Sequence, residues 1–136
     1  MNSVWAESVN RLQFKPLQQN ISTNVLIIGG GMAGLLCAHA LKNAGVECVL
    51  VEADRICGGV TENTTAKITL QHGLIYNKLI SRFGQEKARL YLKAQAEACA
   101  EYARLCEGID CNYEKQDSFV YSLSSCKELE KELVAL

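Results

Sequence analysis

Along the chain, hydrophobic and polar positions change their rhythm several times, and each change marks an element. Residues 1–23 are polar and irregular, with Trp5 and Phe14 as isolated aromatics and Pro16 ahead of a Gln-Gln-Asn stretch. They read as an N-terminal arm that docks on a larger body. The run Val25-Leu26-Ile27-Ile28 then stops abruptly at Gly29-Gly30-Gly31. A short apolar run without polar alternation predicts a strand buried on both faces, as in a parallel sheet. Met32 to Asn43 has helical spacing, with Leu35, Leu36, His39, Ala40 and Asn43 on one side and its flanks. Gly45 stands where a helix-ending glycine belongs. Val46 to Val51 is a second strand of the buried type, with Glu52 at its end. Strand, glycine turn, helix, glycine, strand is a βαβ unit, and its crossover is right-handed.

Residues 53–71 lose this rhythm. They are rich in Gly, Thr and Asn and predict a long, structured loop with at most one short strand, a feature that usually serves function. A helix is expected from His72 or Gly73 through Ile75, Leu79, Ile80 and Phe83, stopped by Gly84. A longer helix follows over Glu86–Glu107, with an apolar stripe of Leu90, Tyr91, Ala94, Ala98, Tyr102 and Leu105 and a stop at Gly108. Tyr91 and Tyr102 read as core packing. Phe119-Val120-Tyr121 reads as a strand within 117–123. Ser124 or Ser125 then caps a last helix over Lys127–Leu136, Ser125 and Glu128 having capping-box spacing. The Lys127–Glu132 charges read as a solvated helix face. The chain thus divides into an arm (1–23), a βαβ unit with its loop (24–71) and a helical segment (72–136). The last helix lacks a terminating glycine, which suggests that the third segment is incomplete.

Composition narrows the function classes. The 136 residues give room for about one domain. The balance of 14 Lys and Arg against 15 Asp and Glu provides no basic excess for a phosphate backbone, so nucleic acid is a poor partner. The longest apolar-rich stretch, Val25 to Leu41, is broken by four glycines and His39, so no membrane span is expected. The N-terminus has no apolar signal-peptide core, which favours a cytoplasmic location. The seven cysteines contain no C-x-x-C pair and no metal-site spacing. They read as reduced thiols acting mostly as small hydrophobes, with Cys57 set apart by its place beside Gly58-Gly59.

Gly29-Gly30-Gly31-Met32-Ala33-Gly34 matches G-x-G-x-x-G. In this motif the first glycine makes the tight turn and the second lets a pyrophosphate approach the backbone. The third lets helix and strand pack closely. The N–H groups of the helix start, at Met32 and Ala33, offer donors and a positive dipole end to phosphate. Context strengthens the motif: a strand precedes it, a helix follows it, and Glu52 closes the next strand eighteen residues after Gly34. An acid there accepts from ribose hydroxyls and disfavours a 2′-phosphate, so FAD or NAD is preferred over NADP. The competing reading is a glycine-rich turn in an α/β protein that binds no nucleotide.

The stretch VLIIGGGMAGLLCAHALKNAGVECVLVEADRICGG resembles the FAD-binding N-terminus of D-amino-acid-oxidase-like FAD-dependent oxidoreductases. GGVTENTTAKITLQHGLIYNKLISRFG is similar to a bacterial branch whose members often carry a C-terminal Rieske 2Fe–2S domain. Ser3-Val4-Trp5 and Ile109-Asp110-Cys111 extend the likeness over nearly the whole chain. The resemblance implies an α/β fold: the N-terminal part of a Rossmann-like FAD/NAD(P)-binding fold, followed by helices that begin the substrate side. It also implies that Gly29, Gly31 and Gly34 line the FAD pyrophosphate with Met32 and Ala33, and that Glu52 holds the adenosine ribose. Ala53, Asp54 and Arg55 would border the adenine. The loop from Gly58-Gly59 to Lys67 would wrap the cofactor, with Thr64 and Thr65 as phosphate or flavin neighbours. Family members run to a few hundred residues, and no Rieske ligand pattern is present here. A partial chain is therefore expected.

The implied activity is oxidation of an amine or hydroxyl C–H in a small-molecule substrate by hydride transfer to the flavin. No catalytic residue or metal ligand is assigned. Lys67 reads either as a tuner of flavin electronics or as a solvated lysine, and His72 either as a cofactor contact or as a polar residue at a helix start. The alternatives are a non-catalytic fragment that binds the ADP moiety, a segment of an NAD-binding dehydrogenase, and a decayed product without a stable fold. Unfinished sheet edges would also favour self-association.

Overall fold

The computed structural model describes residues 12–124 and 126–136. Ser3, Val4, Trp5 and Ser125 lie outside the described residues, and so does any capping box made by Ser125. The chain divides into two compact units, Met1–Ala66 and Lys67–Leu136.

In the first unit β1 (Leu26–Ile28) pairs in parallel with β2 (Val49–Val51), with Leu26 opposite Val49, Ile27 opposite Leu50 and Ile28 opposite Val51. Parallel pairing demands a crossover, and α1 (Met32–Asn43) supplies it. The helix packs on both strands, and Leu35, Leu36, Ala38 and Leu41 are its half-buried apolar residues. His39, Ala40 and Asn43 are exposed instead, and His39 Nε2 lies 2.9 Å from Asn43 Nδ2.

A Schellman motif ends α1. Gly45 has φ +72, its N–H donates to Lys42 O at 3.0 Å, and Val46 N–H donates to Leu41 O at 2.9 Å. The glycine at this position is needed because a Cβ is disfavoured at such a φ.

Two expectations about the strands are corrected. Val46, Glu47 and Cys48 remain outside β2. Neither strand is buried on both faces, and Ile28 is 81% exposed. The sheet has two strands among the described residues, and α1 packs against both.

Residues 53–71 contain one turn of 3-10 helix, Val60–Asn63, and no strand.

The second unit is helical: α2 (Tyr76–Phe83), α3 (Gln85–Cys106) and α4 (Lys127–Ala135), with α2 packed on both α3 and α4. Gly84, at φ +83, turns the chain from α2 into α3. The core centres on Tyr76, 2% exposed, whose ring meets Tyr91 edge-on at a centroid distance of 6.3 Å. Its hydroxyl donates to Leu70 O at 2.6 Å.

Several readings of this unit are corrected. The inward stripe of α3 runs through Ala88, Leu92, Gln95, Cys99 and Ala103, together with Tyr91 and Tyr102. Leu90, Ala94 and Ala98 face outward. Residues 117–123 form no strand, because no partner strand lies beside them among the described residues; Phe119 and Tyr121 are exposed.

Helix α2 starts at Tyr76, later than His72 or Gly73. Glu132 explains this start. Its side chain is 3% exposed, and it accepts from Tyr76 N–H at 2.8 Å, Asn77 N–H at 2.9 Å and Gln71 Nε2 at 3.0 Å. One carboxylate thus satisfies donors that the first turn of α2 cannot satisfy itself. Glu132 is therefore a buried anchor, contrary to the solvated face read for Lys127–Glu132. Burial pushes its carboxyl up, but the N–H bonds from Asn77, Tyr76 and Gln71 outweigh this and hold it below the ordinary value. The N-cap of α4 is Cys126, with no side-chain cap bond, where Ser124 or Ser125 was expected. The cysteines also differ from small buried hydrophobes: Cys37, Cys111 and Cys126 are exposed.

Candidate functional site: the glycine turn and the acidic end of β2

The glycine turn is built at the C-terminal ends of two parallel strands. Gly29 has φ +107, and its N–H continues the ladder to Val51 O at 2.8 Å. Gly30 is buried. Its N–H donates to Glu52 Oε2 at 2.6 Å, and its carbonyl accepts from Cys57 N–H at 2.9 Å. Glu52 Oε1 accepts from Asp54 N–H at 3.1 Å. The Gly30 bond, and after it the Asp54 bond, holds the Glu52 carboxyl below its ordinary value of 4.5, so it is an anion at neutral pH.

Gly31 and Gly34 differ physically. Gly31 is the N-cap of α1 with extended backbone (φ −80, ψ −174), and a Cβ there would touch only Thr61 Oγ1, at 3.4 Å. The space beside it is open. A Cβ at Gly34 would run into Gly29 O and press on Ile27 Cγ2. Gly34 is glycine so that helix and turn can close, whereas a side chain at Gly31 would meet little besides Thr61.

Thr61 completes the turn. Its hydroxyl accepts Met32 N–H at 3.1 Å, so a residue of the 3-10 turn sits against the start of α1. Arg55 Nη2 meets Glu62 Oε1 at 2.7 Å, and Asn63 Nδ2 donates to Gly59 O at 2.9 Å. The Arg55 side chain also lies over Gly58, where a Cβ would collide with it. Cys57 has φ +59.

The structure therefore brings Gly29, Gly31, Met32, Gly34 and Glu52 to one place and fastens Arg55 across the loop beside it. Ala33 and Ala53 are exposed next to this cluster. Thr64 accepts Ala66 N–H at 3.1 Å, a local contact, and Thr65 is exposed. Lys67 and His72 belong to the second unit and are exposed. Reading the sequence missed Thr61 and Gly30. The sequence signal for Thr61 is its place two residues after Gly59, in the loop that follows β2.

These residues fit a dinucleotide. The first donor inside α1 is Leu35 N–H, bonded to Gly31 O at 3.0 Å. The N–H groups of Ala33 and Gly34 precede it and suit an anion at a helix start. A carboxylate has about four acceptor positions. Glu52 uses two of them on Gly30 and Asp54, which leaves acceptors for ribose hydroxyls.

A profile of the family described as FAD dependent oxidoreductase matches residues 24–136. The chain belongs to this family of FAD-dependent oxidoreductases. The family's fold is Rossmann-like and its cofactor is FAD, and β1–α1–β2 is the βαβ unit that carries its fingerprint. Among curated relatives, a protein of Bacillus subtilis named for a Rieske 2Fe-2S iron-sulfur protein, YhfW, is 38% identical over 120 residues, which cover 87% of this chain and 24% of the relative. Gamma-glutamylputrescine oxidoreductase of Escherichia coli is 28% identical over 123 residues, covering 88% of this chain and 29% of that protein. p-Hydroxybenzoate hydroxylase of Acinetobacter baylyi is 39% identical over 66 residues, covering 43% of this chain and 16% of the relative. The chain thus spans about a quarter of the length of the relatives it matches most broadly. No solved structure matches it. Among the described residues no helix is long and apolar enough to cross a membrane.

Proposed function

We propose that this chain is the ADP-gripping part of a cytoplasmic flavoenzyme that oxidises an amine or hydroxy compound, and that it is one portion of a longer catalytic unit. In this reading residues 24–71 bind FAD, and residues 72–136 begin the substrate side. Bound FAD supplies a hydride acceptor for the substrate C–H. The residues of this chain bind and orient it. Gly29 and Gly31 clear the approach of the pyrophosphate, while the N–H groups at the start of α1 meet its charge. Glu52 takes the ribose hydroxyls, and Ala53 and Arg55 border the adenine. Gly59, Thr64 and Thr65 line the loop on the way to the flavin.

The observation that carries the reading is the contrast at the turn: open space at Gly31, a closed contact at Gly34, and an anionic Glu52 at the end of β2. The names of the oxidoreductase relatives support the reaction class. The exposed strand residues Leu26 and Ile28 support association of this portion with itself or with the rest of the sheet. The test is to load the chain with FAD, remove free cofactor by gel filtration and record the visible spectrum. Amines and hydroxy acids are then added without oxygen. Retained flavin bands that bleach with a substrate are expected of a catalytic unit. Retained bands that no amine or hydroxy acid bleaches are expected of a portion that grips the cofactor without the rest of the catalytic unit, whereas loss of all flavin on gel filtration would sink the proposal.

A further inference from the structure

We propose that Cys106 and Cys111 form a redox-active pair, which a small-molecule disulfide such as oxidised glutathione converts into an intramolecular disulfide fastening the end of α3 to the loop after it. This inference stands apart from the FAD site and does not depend on it.

Cys106 is the last residue of α3, and Cys111 is the ionisable neighbour that acts on its thiol. The chain between them is folded back on itself. Ile109 N–H donates to Cys106 O at 3.1 Å, and Cys111 N–H donates to Ile109 O at 2.9 Å. Gly108, at φ +74, makes the reversal, a conformation that favours glycine. Both thiols are free, with Cys111 exposed and Cys106 half-buried. The folded turn thus holds the two cysteines in one reversal of the chain, which lowers the entropic cost of closing a disulfide between them.

Burial, and then the neighbouring Cys111, hold the Cys106 thiol up. It stays protonated while Cys111 meets reagents at the surface. The order of events follows, because the thiolate is the attacking species. Cys111 loses its proton and attacks one sulfur of oxidised glutathione. A Cys111–glutathione bond forms, and the first glutathione leaves with the electron pair and takes up a proton. Cys106 then gives up its proton and attacks the Cys111 sulfur, and the second glutathione leaves in the same way. In balance, two protein thiols are oxidised to one disulfide, and one oxidised glutathione is reduced to two molecules of glutathione.

Trypsin cuts after Arg104 and Lys115, which places both cysteines in one peptide, 105–115. The full chain is equilibrated with a fixed ratio of reduced to oxidised glutathione, quenched with iodoacetamide, digested and weighed by mass spectrometry. The same is done with the chain unfolded in urea. Peptide 105–115 is expected two hydrogens lighter and unalkylated, several-fold more abundantly from the native chain than from the unfolded one. In the Cys111→Ser variant, Cys106 is expected to be recovered alkylated. The proposal is overturned if native 105–115 carries two alkyl groups or two glutathiones, if either cysteine pairs elsewhere, or if the unfolded chain closes the disulfide as readily.

Discussion

Glu132 offers the sharpest energetic test of the helical unit. Replacing it with alanine removes the acceptor of Tyr76 N–H, Asn77 N–H and Gln71 Nε2, at 2.8, 2.9 and 3.0 Å, from a site that is 3% exposed. A hydrogen bond to a charged group contributes about 1.5–3 kcal/mol, and donors left buried without an acceptor cost about 1–3 kcal/mol. Loss of a helix cap alone costs about 0.5–2 kcal/mol. These figures describe overlapping contacts and do not add, so the expected destabilisation of Glu132→Ala is about 2–4 kcal/mol. In a unit of this size about 1 kcal/mol shifts the midpoint by roughly 4–8 °C. Thermal unfolding followed by far-ultraviolet circular dichroism should therefore show a midpoint at least about 8 °C lower near neutral pH. The sign of the pH dependence is also fixed. The folded state holds Glu132 below the ordinary carboxyl value of 4.5. Its stabilisation is full above that value and is lost as the pH falls through the folded one. Glu132→Gln should thus lie below the native chain near neutral pH and converge with it in acid. A midpoint for Glu132→Ala equal to that of the native chain near neutral pH would refute the capping role.

Two further substitutions separate folding from binding at the turn. Gly34→Ala puts a methyl group against Gly29 O, and overpacking of this kind costs about 1–3 kcal/mol. The expected result, read by urea denaturation of the full chain, is a lower midpoint together with weaker FAD binding. Glu52→Gln should weaken FAD binding while keeping the fold. In the native chain the same weakening should appear as pH falls below the ordinary carboxyl value of 4.5, since Glu52 is held below it and protonates only there. FAD titrations at several pH values check this.

The βαβ unit was legible in the sequence because its signals are local. Three glycines between an apolar run and a helical repeat leave few other structures, and Gly45 marked the end of α1 correctly. The family likeness was legible for the same reason, since the fingerprint and the Gly/Thr loop lie within one stretch. What escaped depends on partners distant in the chain. Glu132 is a charged residue in a charged run, and only its meeting with Tyr76, 56 residues away, makes it an anchor. Thr61 gained its role by reaching Met32, 29 residues back. The apolar stripe of α3 was misplaced on Leu90, Ala94 and Ala98 because alanine and cysteine signal facing weakly, and Tyr76 decided which side turned inward. Phe119-Val120-Tyr121 has strand composition, but composition supplies no pairing partner.

The most direct test of the FAD grip is a calorimetric titration of FAD into the native chain and into Gly31→Ala. This substitution adds a methyl group that meets only Thr61 Oγ1, at 3.4 Å, on backbone that any residue adopts. The fold should survive it, as circular dichroism can confirm, while the space for the pyrophosphate closes. Binding of one FAD by the native chain and its loss in a folded Gly31→Ala is the predicted result. Equal FAD binding by both, or none by the native chain, would contradict the assignment of the glycine turn as the cofactor's seat.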